Sequence, residues 1–372
     1  MLLYKSKAMT NTLLLRVKYA VLISGFACMA WYDAGAQVQP ALADSFYNFI
    51  NANRARASVY ITRNDSVIAK LEENRLMPLT GTVKLLVAIE FAQQSTHEMI
   101  NENAYVNLEE LEKYYIPEKD SLAQKAWMAY ARSHNEIKNG AVKLVDVARG
   151  MMMFSCHANA DFLMDLLGFD NVKDNITLFG LKQHTAIYPF AGSMFIYQVP
   201  KKSTEAKLVK EVSKYSDKKY SMEAYYNHLE LKTDPDFKAR FNAGQFSPAL
   251  QKMWSDKLPS STTKEYVQIA QALNSRQVLD EDAFFTIGEL VEYPMENKNF
   301  QQRFKHYGTK SGSTSYAFTL VFYFTLKDGT RMESAVFCNN LAPHEVRLLE
   351  TWAESFKEQL ITDPLFRYKM KF

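Results

Sequence analysis

The chain has 372 residues, with 44 Lys and Arg against 41 Asp and Glu, a formal net charge of +3. The excess is local: residues 1–36 hold four bases and one acid, and the remaining 336 hold 40 of each sign. That balance excludes the concentrated basic face of a nucleic-acid binder, while a length of this order can bury a large core.

Lys5, Lys7, Arg16 and Lys18 precede the apolar run YAVLISGFACMAWY, residues 19–32, and then Ala34-Gly35-Ala36, a small-x-small pattern. This is the signature of a secretory signal peptide, cut after Ala36. The run is shorter than the roughly 20 apolar residues of a spanning helix. The expected product is secreted or periplasmic, with no stable membrane span once the signal is cleaved. An uncleaved anchor and a lipoprotein cut before Cys28 are the alternatives. Cys156 and Cys338 then remain, and they read as two buried thiols rather than a disulfide framework. There is no CxxC, no HExxH and no glycine-rich phosphate loop, and the seven histidines lack metal-ligand spacing. No metal or cofactor is therefore expected. No linker, low-complexity run or internal repeat divides residues 37–372.

In chain order, residues 41–54 predict a short helix. ASVYITRNDSVIAKL, 57–71, predicts two strands around an Asn64-Asp65 turn. Residues 82–94 predict a helix that is apolar all round and hence buried, with Thr80 as its N-cap. The segments 108–115, 143–154, 158–168 and 262–274 carry helical periodicity. The last of these has Ser261 or Thr262 as cap and Glu265 completing a capping box. The Lys-rich stretch 201–219 reads as a solvated helical face rather than a site for an anionic partner. Residues 315–326 and 330–340 form a hairpin around Lys327-Asp328-Gly329, and 343–360 is an amphipathic closing helix. Strands at both ends with helices between them imply an α/β (α+β) architecture, one antiparallel sheet built from both termini and flanked by helices. Residues 37–100 and 301–372 would form the sheet lobe, with an all-helical lobe inserted over about 101–300.

Three short stretches carry chemistry: Gly81-Thr82-Val83-Lys84 at the start of the buried helix, Ser155-Cys156-His157 between two helices, and Lys310-Ser311-Gly312-Ser313 leading into the last hairpin. Their order and placement resemble the serine β-lactamase and penicillin-binding protein family, class A β-lactamases in particular, whose motifs are SxxK, S-x-N and K-[ST]-G. The resemblance spans most of the chain after residue 36, including the proline-led approach LMPLTGTVK. It implies catalytic positions at Lys84, Ser155 and Lys310, with Gly81 where the family has its nucleophilic serine. It implies substrate-binding positions at His157, Ser311, Gly312 and Ser313. The backbone N–H groups of Gly81 and Ser313 would form an oxyanion hole.

The departures shape the functional expectation. Gly81 has no oxygen to acylate, His157 replaces the family's asparagine, and residues 176–203 contain no Asp or Glu, so the glutamate that activates the deacylating water is missing. His184, in that stretch, is a candidate replacement base. The resemblance thus implies a catalytically impaired binder of small acyl or peptide carboxylates, such as cell-wall peptide or a β-lactam. Two alternatives stand beside it. One is an active hydrolase with a displaced nucleophile, Ser155, Thr82 or Cys156. The other is a structural envelope scaffold whose cleft is plugged by side chains such as Phe190 or Tyr188.

Overall fold

The computed structural model describes residues 39–200 and 202–372; the signal peptide expected over residues 1–36 lies outside them. Five long strands make one antiparallel sheet: β1 Ala57–Arg63, β2 Ser66–Leu71, β3 Phe304–Ser313, β4 Phe318–Leu326 and β5 Arg331–Cys338. Their order across the sheet is β2-β1-β5-β4-β3. The first strand therefore pairs with the last, with Val59 opposite Val336, and the sheet joins the two ends of the chain. The turn between β1 and β2 uses Asn64 and Asp65 at φ 47° and 63°. Two left-handed residues match the right-handed twist of the strands they join.

Both faces of the sheet are covered, as β4 shows. Phe318, Leu320, Phe322 and Phe324 enter one core, while Val321 and Tyr323 enter the other. That alternation is the period-2 geometry of a strand. Helices α1, Pro40–Ala52, and α9, Pro343–Thr362, contribute to the first core. The second core is larger and holds the middle of the chain. Its helices include α2 Lys84–Thr96, α3 Pro117–Ser133, α4 Leu144–Met153, α5 His157–Leu167, α6 Phe190–Phe195, α7 Asp217–Thr233 and α8 Thr263–Asn274. A short helix, α10, Pro364–Lys369, ends the chain. The buried side chains of the two cores run from Ala43 to Met370.

Three local expectations are corrected. Thr80 does not cap α2. It sits at φ 45°, its hydroxyl faces that of Thr319, and residues Thr80–Val83 form a 3₁₀ turn before α2 begins at Lys84. The stretch 201–219 is not one helix. It breaks after Glu205–Val212, and α7 restarts with Ser216 accepting the N–H of Lys219. At α8, Thr262 is the cap, 3.1 Å from the N–H of Glu265. The Glu265 carboxylate accepts the Ser261 hydroxyl and the Gln183 N–H instead of closing the box.

Candidate active site

The three stretches singled out in the sequence converge. Gly81 lies in the buried 3₁₀ turn at the head of α2. The first turn of α2 carries Lys84, which is 0 % exposed. Its Nζ donates to the carbonyls of Ser155 and Cys156, the latter at 3.3 Å. Burial lowers the Lys84 pKa to about 8, against the opposing charges of Asp120 and Asp161. An ammonium out of water disfavours its own charged form, and two backbone carbonyls are the partners that keep its donors satisfied.

Ser155 sits at φ 62°, in the left-handed region that few side-chain-bearing residues adopt. Its hydroxyl takes a hydrogen bond from Lys310 Nζ, which also donates to the Met152 carbonyl at 2.7 Å. Lys84 and Lys310 thus grip the turn from Met152 to Cys156 together. Lys310 reaches it because the residue is buried on β3, near the head of α2.

His157 opens α5. Its ring stacks on Phe190 at 5.4 Å between centroids, and its Nδ1 has no hydrogen-bond partner. Burial, with Lys84 and Lys310 adding to it, holds the imidazole pKa well below its usual value, so the ring is neutral at pH 7. The Phe190 ring also lies 5.4 Å from Lys84 Nζ. One aromatic side chain therefore covers both the first-stretch lysine and the second-stretch histidine.

Two buried carboxylates that the sequence reading did not single out frame the site. Asp120, on α3, accepts the N–H groups of His157 and Ala158 at 3.0–3.1 Å. It caps α5 from a distance of 37 residues along the chain. Asp161 accepts the N–H groups of Phe190 and Ala191, both at 2.7 Å. Burial pushes the Asp161 pKa up to about 6, against the charge of His228 and these two N–H bonds. Both carboxylates satisfy orphan donors at helix N-termini. No spacing rule links a residue to a helix cap this far away, so only the acidity of Asp161 in an apolar run hinted at a role.

The third stretch closes the front. Ser311 and Ser313 are exposed, and the Ser313 hydroxyl donates to Glu350 Oε1 at 2.5 Å. Gly312 is pressed against the 3₁₀ turn. A Cβ on Gly312 would lie 2.2 Å from the Gly81 nitrogen and 2.5 Å from its Cα. A Cβ on Gly81 would lie 2.9 Å from the Ser311 carbonyl oxygen, 3.1 Å from Gly312 Cα and 3.6 Å from Ser155 Oγ. The two backbones approach as closely as they do because neither residue has a side chain.

The other hydroxyl, thiol and imidazole candidates are held elsewhere. The Thr82 hydroxyl donates to the Leu79 carbonyl of its own turn at 2.5 Å. Cys156 is fully buried, and burial raises its thiol pKa well above the usual value. Its thiol stays protonated and inert. The His184 nitrogens lie 2.6 Å from the Thr185 carbonyl and 3.2 Å from the Tyr266 hydroxyl. The Tyr188 hydroxyl donates to the Lys257 carbonyl, and the residue is buried. Cys156 and Cys338 are both free thiols. Among the described residues no cluster of three or more His, Cys, Asp or Glu is placed to hold a metal ion.

The sequence profile of the Beta-lactamase enzyme family matches residues 41–311, and the chain belongs to the serine β-lactamase and penicillin-binding protein family. Solved structures share the fold at low identity. The β-lactamase from Sphaerobacter thermophilus DSM 20745 is 14% identical, covering 87% of this chain and 97% of its own, with a TM-score of 0.53. A class A β-lactamase representative from Bacteroides cellulosilyticus DSM 14838 is 13% identical, covering 87% of this chain and 98% of its own, with a TM-score of 0.50. A PBP-A mutant solved as an acyl-enzyme complex with penicillin G is 10% identical, covering 86% of this chain and 96% of its own, with a TM-score of 0.50. No curated protein matches the chain in sequence.

Proposed function

We propose that this chain is an exported member of the family that has lost acyl transfer, and that its former catalytic centre is a closed polar joint serving the fold. In this reading Gly81 stands at the nucleophile position, and Lys84, Ser155 and Lys310 at the positions of the proton relay. The observation that carries it is the close approach of β3 to the turn, which would put a Cβ at position 81 at 2.9 Å from the Ser311 carbonyl oxygen and 3.1 Å from Gly312 Cα. Lys84 and Lys310 support it, because both donate to carbonyls of the Met152–Cys156 turn. A carboxylate ligand, whether cell-wall peptide or β-lactam, would have to draw those donors away and displace Phe190.

Export and cleavage after Ala36 belong to the same reading and rest on the sequence of residues 1–36; a single unit over 37–372 rests on the two cores. Among the described residues no helix is long and apolar enough to cross a membrane.

The test is to incubate residues 37–372, and separately the Gly81→Ser variant, with a reporter penicillin and measure intact mass. Neither protein is expected to gain an adduct. An adduct on the parent, mapped to Ser155 or elsewhere, would reinstate an active hydrolase with a displaced nucleophile. Saturable binding of a cell-wall peptide to the parent, followed by calorimetry, would replace the closed joint with a carboxylate-binding cleft.

A further inference from the structure

Far from the joint, the C-terminal corner of the molecule carries an unusual pairing of exposed apolar and basic side chains. Helix α10 buries Phe366 against Phe356, with ring centroids 6.1 Å apart. It leaves Leu365 80 % and Tyr368 72 % exposed, two of the most exposed large hydrophobic side chains among the described residues. Arg367, Lys369 and Lys371 alternate with them, and residues 364–372 contain no acid. Lys371 lies over the Tyr368 ring at 3.9 Å. Arg367 donates to the Leu360 and Ile361 carbonyls, and its pKa is lowered by burial and by the nearby charge of Arg63.

The same corner holds the beginning of the described chain. Lys369 pairs with Asp44 of α1 at 2.6 Å, and Tyr47 meets Phe372 at 5.5 Å between ring centroids. The first helix starts at Pro40.

We propose that this face, Leu365 and Tyr368 with Arg367, Lys369 and Lys371 on the same short segment and Arg63 near Arg367, docks on the anionic surface of a lipid bilayer. Charge complementarity selects the partner: basic side chains beside a negative bilayer each favour adsorption. The apolar area selects it too. Two protruding side chains are far short of the roughly 800 Å² per partner of a stable protein interface, but they suit shallow insertion at the headgroup boundary. The inference shares the export reading with the proposed function and is independent of the closed joint.

The test is co-sedimentation of residues 37–372 with vesicles of phosphatidylglycerol and phosphatidylcholine, and with phosphatidylcholine alone. Binding is expected only to the anionic vesicles, and it should weaken at high salt. The variants Leu365→Asp with Tyr368→Asp, and Lys371→Gln with Arg63→Gln, should each reduce it; removal of two charges lowers partitioning roughly 30-fold at about 1 kcal/mol per base. Phe285→Asp, at an equally exposed aromatic elsewhere (77 %), should leave binding unchanged. No sedimentation of the parent, equal binding to both vesicle types, or loss only in Phe285→Asp would overturn the proposal. Circular dichroism of each variant separates loss of binding from loss of fold.

Discussion

Lys84 and Lys310 hold the same turn from two sides: Lys84 donates to the carbonyls of Ser155 and Cys156, and Lys310 to the Met152 carbonyl and the Ser155 hydroxyl. Two buried ammonium groups in one small volume would normally repel. Here Asp120 and Asp161 lie close enough to raise the Lys84 pKa against the effect of burial. The arrangement is thus a four-residue charge cluster whose two carboxylates also cap α5 and α6.

Burial lowers the Lys84 pKa from 10.5 to about 8 in the fold, so between those values the unfolded chain holds a proton that the folded chain has released. Stability then rises with pH across that window. The urea midpoint of the parent should climb, relative to that of Lys84→Met, from about pH 8 toward 10.5. A constant difference between the two proteins across that range would show that Lys84 is charged throughout.

A methyl group at position 81 meets backbone rather than a movable side chain. Gly81→Ala should therefore destabilise the protein by about 1–3 kcal/mol, the usual cost of overpacking a filled site. Urea denaturation measures it. A neutral effect would mean that β3 can retreat without loss, and that the joint is looser than its contacts imply.

Phe190 closes the space above Lys84 and His157. Phe190→Ala should cost about 3–5 kcal/mol, as large-to-small core changes do. It should also let an amine-acylating reagent reach Lys84 near pH 8.5. Peptide mapping should find Lys84 unmodified in the parent and modified in the variant.

Cys156 lies in one core and Cys338 in the other. Burial raises both thiol pKa values, that of Cys338 to about 12. A disulfide reagent should find neither thiol in native residues 37–372 and both after denaturation. A native thiol count above zero, or an internal disulfide seen by mass, would contradict that placement.

Much of this was legible in the sequence because it depends on local periodicity. The Asn64-Asp65 hairpin, the alternating aromatics of β4 and the capped start of α8 need only neighbours along the chain. The three chemical stretches could be read for the same reason, since each is a short motif. What was not legible depends on contacts across the fold. Thr80 has the residue type of an N-cap, but a partner 239 residues away, Thr319, takes its hydroxyl and leaves it in a left-handed conformation. Asp120 and Asp161 cap helices to which no spacing rule assigns them. Phe190 was legible as a plug only as one alternative, because nothing in an apolar run says which ring turns inward.

The contact between Gly81 and Gly312 constrains both backbones at once. A Cβ on Gly312 would meet the backbone of Gly81, and a Cβ on Gly81 would meet the backbone of Ser311 and Gly312. The Cβ of a serine at 81 would lie 2.9 Å from the Ser311 carbonyl oxygen, so Gly81→Ser should lower stability unless the strand moves. The paired glycines thus set how closely β3 can lie against the head of α2, and a side chain at either position has to be accommodated by a shift of strand or turn.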